Sequence, residues 1–235
     1  MGREVSGVKD LEEFARLISD TRNYFQTRLS LGETSLLLGP REEDRGGGSP
    51  APDEQLARLE ERVRSCTRCA LHRSRTKVVF GTGTARTGLV FVGEAPGRDE
   101  DIQGEPFVGR AGQLLTRIIE AIQLSRDDVY ITNVIKCRPE GNRDPHPHEI
   151  ELCSRYLIEQ LEILKPRAIC ALGRFAAQAL SGLKLSMAGY RTEDLFYRGI
   201  RVFATYHPAA CLRNASLKRP VWEDMQKLRD FLKSS

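Results

Sequence analysis

Four short apolar runs divide the chain: 88–92 (GLVFV), 129–135 (VYITNVI), 168–172 (AICAL) and 202–206 (VFATY). Between and after them, large apolar residues return every three or four positions. That spacing predicts helices over about 111–123, 147–164 and 174–181, and a last helix around 220–233. Strand runs of four to seven residues without polar alternation, separated by helices, predict a parallel sheet covered on both faces. Ligands of such sheets bind where loops leave the carboxyl ends of the strands. The chain's unusual loop sequences lie at such ends: GEAPG after the first run, the 133–138 region at the second, and YHPAACLR after the fourth.

A different pattern precedes this body. Leu11, Phe14, Leu17, Ile18, Tyr24 and Phe25 predict an amphipathic helix within residues 1–38. Residues 39–55 are charged, rich in Gly and Pro and poor in large apolar side chains, the composition of a flexible linker. The expected organisation is therefore an N-terminal helical extension (1–38), a linker (39–55) and one α/β domain (56–235).

Composition narrows the function classes only slightly. With 40% hydrophobic and 29% charged residues, the 235-residue chain has the make-up of a soluble globular protein. No apolar run approaches membrane-spanning length, and the N-terminus lacks a signal-peptide core, so neither a spanning nor a secreted protein is expected. The net charge of +4 is unevenly spread. Residues 1–55 hold 7 Lys/Arg against 11 Asp/Glu, and residues 56–235 hold 29 against 21. An acidic head on a basic body raises the question of nucleic acid.

The six cysteines point to metal or redox chemistry rather than a disulfide framework. Cys66 and Cys69 form a CxxC pair among basic and polar residues, and Cys137 and Cys153 also lie outside the strand cores. Together they suit a four-thiolate site, although reduced thiols with no metal fit as well. Spacing does not choose between zinc and iron. Cys170 reads as an apolar filler inside a strand, and Cys211 has no assigned role.

Small, rigid residues crowd the first loop: Gly93-Glu-Ala-Pro-Gly97, Arg98-Asp-Glu-Asp101, then Gly104-Glu-Pro-Phe-Val-Gly-Arg-Ala-Gly112. The phosphate-loop pattern GxxxxGK[ST] is absent, and four acidic residues argue against a nucleotide phosphate. Taken together, GEAPGRDED, PFVGRAG, TNVIKCRPEGNRDP, the four cysteines and TYHPAACLR resemble the type-4, iron–sulfur uracil-DNA glycosylases from about residue 58 to 232. The resemblance implies a three-layer α/β/α sandwich with a four-stranded, mainly parallel sheet. It also implies a 4Fe–4S cluster on Cys66, Cys69, Cys137 and Cys153. The expected ligand is uracil-containing DNA, met by a monomer in a prokaryotic cytoplasm, with the acidic head free for a protein partner.

Uracil excision requires flipping the base into a pocket, stacking it, reading its edge and stabilising the departing anion. Phe107 fits the stacking platform, and Gly93 and Ala95 belong to the same pocket wall. The Asn133 amide can accept from uracil N3–H and donate to O4, groups that cytosine reverses. His207 fits the donor to uracil O2, and Glu94 the carboxylate facing the sugar or an attacking water. The better-known GQDPYH loop carries an Asp where this chain has Ala95, so Glu94 or a water held by Asn142 must serve instead. Glu100 matches a family position near the uracil C5 edge. Leu212 and Arg213 resemble the segment entering the minor groove, and Arg110, Arg138, Arg143, Lys218 and Arg219 are candidate phosphate contacts. Seen alone, Phe107 reads sooner as core and Asn133 sooner as a turn residue, and a solvated acidic turn is the lesser reading of Glu100. Two competing functions are a covalently trapping uracil-DNA binder and a non-catalytic iron–sulfur or zinc DNA-binding module.

Overall fold

The computed structural model describes residues 50–234, so the predicted N-terminal helix and most of the linker lie outside the described residues. Helix α1 (Pro52–Arg64) starts with proline in its first turn, where the missing N–H costs nothing, and acidic Asp53 and Glu54 face its positive end. Residues 52–55, grouped with the linker on composition, are therefore helical.

The sheet contains β1 (Thr82–Gly83), β2 (Leu89–Gly93), β3 (Tyr130–Asn133), β4 (Ala168–Leu172), β5 (Leu195–Tyr197) and β6 (Ile200–Thr205), in the order β1-β3-β2-β4-β6-β5. The four predicted strands are its parallel centre, β3-β2-β4-β6. Two short antiparallel strands extend the expected four to six: β1 pairs with β3, and β5 with β6. β5 reaches β6 through Arg198 (φ 49°) and Gly199 (φ 84°). Two consecutive positive φ angles make the primed hairpin turn that matches strand twist. Neither edge strand is long enough to leave an apolar run.

Alternation within the buried strands sends residues to opposite layers. Val90, Val92, Ile169 and Ala171 pack with Leu157 and Leu161 of α4 (Pro147–Leu164) and with Ala176, Ala177 and Leu180 of α5 (Arg174–Ser181). Leu89, Phe91, Ile131 and Leu172 pack against α3 (Arg110–Ala121) and α8 (Lys218–Ser234). The result is the expected α/β/α sandwich. Short helices α2 (Arg98–Gln103), α6 (Met187–Thr192) and α7 (Pro208–Arg213) complete it. Cys170 is fully buried in the second layer, as its apolar surroundings predicted, and Cys211 is buried beside it.

A second buried element ties β6 down. Asp224 of α8 accepts from Thr205 Oγ1 (2.7 Å) and Arg191 Nε (2.7 Å), which fixes the strand end two residues before His207. Among the described residues, no helix is long and apolar enough to cross a membrane.

Candidate uracil-binding site

The carboxyl ends of the four central strands lie side by side, so Asn133, Gly93, Gly173 and the Tyr206–His207 segment meet along one edge. Gly93 and Asn133 are directly paired in the β2–β3 register. Gly93 is needed here for space: a Cβ would stand 2.3 Å from Asn133 Oδ1 and 2.6 Å from the Phe107 ring. Three residues from three segments therefore converge on one missing side chain.

Asn133 is buried (1% exposed), and its Oδ1 has no hydrogen-bond partner. Such an atom costs roughly 1–3 kcal/mol, so an unpaired buried acceptor calls for a donor that the described residues do not supply. Its backbone is held from behind. Lys136 Nζ, fully buried, donates to the Asn133 carbonyl (2.7 Å), Thr132 Oγ1 (2.6 Å) and Gln160 Oε1 (2.6 Å).

The Phe107 ring lies 5.6 Å from the His207 ring, inclined by 32°. Phe107 has φ 55°, a left-handed conformation worth about 1–3 kcal/mol of strain in a non-glycine residue. His207 caps α7, its Nδ1 accepting from Ala209 N–H (3.1 Å), which leaves the proton on Nε2. Burial, assisted by the Arg213 charge, pushes its pKa down to about 4, so the ring is a neutral donor at physiological pH. Gly173 (φ 91°) permits the approach, since a Cβ there would lie 3.1 Å from His207 Cβ. Glu94 is pushed the other way, up to about 7, by burial and by the Asp144 charge, with Arg174 opposing.

Elsewhere, a cavity is lined by Cys66, Cys69, Cys137 and Cys153, beside Arg75 and Tyr156. Arg75 Nη1 donates to Cys137 Sγ (3.2 Å), and the Lys136 N–H to Cys153 Sγ (3.3 Å). Burial pushes the Cys153 thiol up to about 12 and raises that of Cys137.

The family profile described as Uracil DNA glycosylase superfamily matches residues 80–228. A type-4 uracil-DNA glycosylase of Archaeoglobus fulgidus is 46% identical over 76% of this chain and 94% of its own length. One of Thermotoga maritima is 45% identical over 77% and 96%. A type-5 uracil-DNA glycosylase of Pyrobaculum aerophilum shares 36% over only 54% of this chain and 56% of its own. The chain belongs to the type-4 uracil-DNA glycosylase family.

Within this type-4 glycosylase, Gly93, Phe107, Asn133 and His207 lie close together, with Glu94 next in chain to Gly93. Ala95 packs against the core and brings no functional group to the site. Glu100 is occupied by backbone: its Oε1 accepts from the N–H groups of Val108 and Gly109 (both 3.1 Å), so it braces the Phe107 loop. Asn142 is exposed and its Oδ1 accepts from Arg138 Nε (2.7 Å), committing both residues to each other. Arg143 grips Glu149 through both nitrogens (2.9 and 2.6 Å), which makes it part of the α4 start rather than a free phosphate contact. Leu212, 40% exposed, and Arg213 lie on α7 directly after His207.

Sequence reading missed Gly173, Arg174 and Asp144. Gly173 follows a strand run as Gly93 does, and that parallel was its signal; Asp144 acts on Glu94 from a loop and Arg174 from the first residue of α5, and neither left one. Gly93→Ala should lower uracil excision about 100-fold or more, because a wall methyl displaces both Asn133 and Phe107. Steady-state kinetics with a uracil oligonucleotide, at unchanged thermal stability, measures it.

Proposed function

We propose that the chain excises uracil from single- and double-stranded DNA by flipping the nucleotide into the Gly93–Phe107–Asn133–His207 pocket, leaving free uracil and an abasic site for base excision repair. The observation that carries this reading is the buried, unpaired Oδ1 of Asn133 beside an aromatic ring and a neutral imidazole. Uracil N3–H supplies the missing donor. Cytosine presents an acceptor there, so both groups would be left unpaired, a mismatch that discriminates strongly.

In this account Phe107 stacks the base, worth roughly 1–3 kcal/mol against the cost of flipping. As the C1′–N1 bond breaks, its electron pair leaves with uracil, and His207 Nε2–H donates to O2 where negative charge gathers. A neutral donor in a desolvated site is already oriented for that charge. Glu94, ionised, faces the oxocarbenium-like sugar or the water whose oxygen bonds to C1′. Leu212 fills the space left by the flipped nucleotide, with Arg213 on the backbone. The enzyme would act as a monomer on nucleoid DNA in the cytoplasm, where its substrate lies.

We infer that the four cysteines carry the 4Fe–4S cluster that the resemblance implies. Support comes from the four sulfurs around one cavity, where the Arg75 guanidinium donates to Cys137 Sγ and the Lys136 backbone N–H to Cys153 Sγ, contacts that favour thiolates over the thiols that burial alone prefers. When bound, the cluster supplies a covalent pin between the segment after α1, the end of β3 and α4.

Incubation with uracil-containing oligonucleotides followed by alkali should cleave both single and double strands at uracil; intact strands from iron-replete protein would refute the glycosylase reading. Because Glu94 titrates near 7 and acts ionised, kcat/KM should rise about tenfold per pH unit below 7 and level off above it. Glu94→Gln should abolish that slope; an unchanged slope would remove Glu94 from the reaction. Cys137→Ala should lose visible absorbance and bound iron, and full iron retention would contradict its role as a ligand.

A further inference from the structure

The Phe107 loop is gripped from two sides. On the amide side, Glu100 accepts from Val108 and Gly109. On the carbonyl side stands Arg126, a residue with no part in the chemistry above. Its Nη2 donates to the Pro106 carbonyl (2.9 Å), and its Nη1 to the Phe107 carbonyl (3.2 Å) and Thr116 Oγ1 (3.3 Å). Gly112 lets this carbonyl approach, since a Cβ there would stand 1.8 Å from Phe107 O. The peptide groups flanking a residue at φ 55° are thus fixed at both oxygens and at the two following N–H groups. Consecutive carbonyls held by one planar fork define an orientation, which a single-point donor such as lysine does not.

Arg126 opens the short turn Arg126–Asp128 that leads into β3, and β3 ends at Asn133. One short segment therefore begins with the grip on the stacking ring and ends with the edge reader. We propose that Arg126 is a positioning residue for uracil, setting the height and tilt of the Phe107 ring relative to the Asn133 amide. The proposal rests on Phe107 being the stacking platform. Misplacement of a reacting partner by about 1 Å can cost on the order of 100-fold in rate.

The test is a double-mutant cycle on the holoenzyme with Arg126→Gln, Phe107→Ala and the pair, read as kcat/KM on a uracil oligonucleotide and as inhibition by free uracil. Arg126→Gln should lower kcat/KM about 10- to 100-fold and weaken uracil inhibition comparably, with visible absorbance unchanged. The double variant should be no worse than Phe107→Ala alone. Losses that multiply, or unchanged uracil inhibition in Arg126→Gln, would overturn the proposal. Arg126→Lys is the second variant should the glutamine protein not fold; it keeps the charge but not the fork, and wild-type uracil inhibition from it would equally overturn the proposal. Unchanged uracil inhibition in Phe107→Ala would instead refute the platform reading itself.

Discussion

A buried amide oxygen without a donor is a standing cost, and the fold around Asn133 maintains one. The parallel register sets Asn133 beside Gly93, whose absent side chain leaves room for the amide oxygen and for the Phe107 ring alongside. Lys136 satisfies the Asn133 carbonyl, so the backbone group is paired while the side-chain oxygen is not. A base with an N–H at the right place removes the cost on entry, whereas one without it leaves two groups unpaired in low dielectric. Discrimination thus follows from what the pocket lacks as much as from what it contacts.

Electrostatics divides the remaining labour. Burial drives His207 toward neutrality, and it raises Glu94 until it titrates near physiological pH. Two groups pushed in opposite directions from their ordinary values, in one cleft, take distinct roles. In the proposed reaction the imidazole would donate to an anion without carrying charge of its own, and the carboxylate would offer negative charge to the sugar once ionised. The Asp224–Thr205–Arg191 contacts hold the strand that delivers His207, and Gly173 gives it room.

The parallel centre and its main helices were legible because burial on both faces leaves continuous apolar runs, and helix α4 was readable to the residue. Edge strands of two and three residues leave no such trace. In the site, Gly93, Asn133 and His207 could be picked out from loop motifs because each stands at or just after a strand end. Residues that act through others could not. Glu100 has the composition of a solvated turn but accepts two backbone N–H groups. Arg126 sits among charged residues and is distinguished only by the carbonyls it reaches. Charge effects between distant segments, such as those of Asp144 and Arg174 on Glu94, have no period or spacing to reveal them.

The central claim is that Asn133 Oδ1 waits for the N3–H of uracil. Competitive inhibition by free uracil and by 3-methyluracil isolates that bond, since the two differ only at N3. The account predicts that methylation weakens inhibition about 100-fold or more, because it removes the donor and adds bulk against Asn133. Equal inhibition by the two compounds would contradict it.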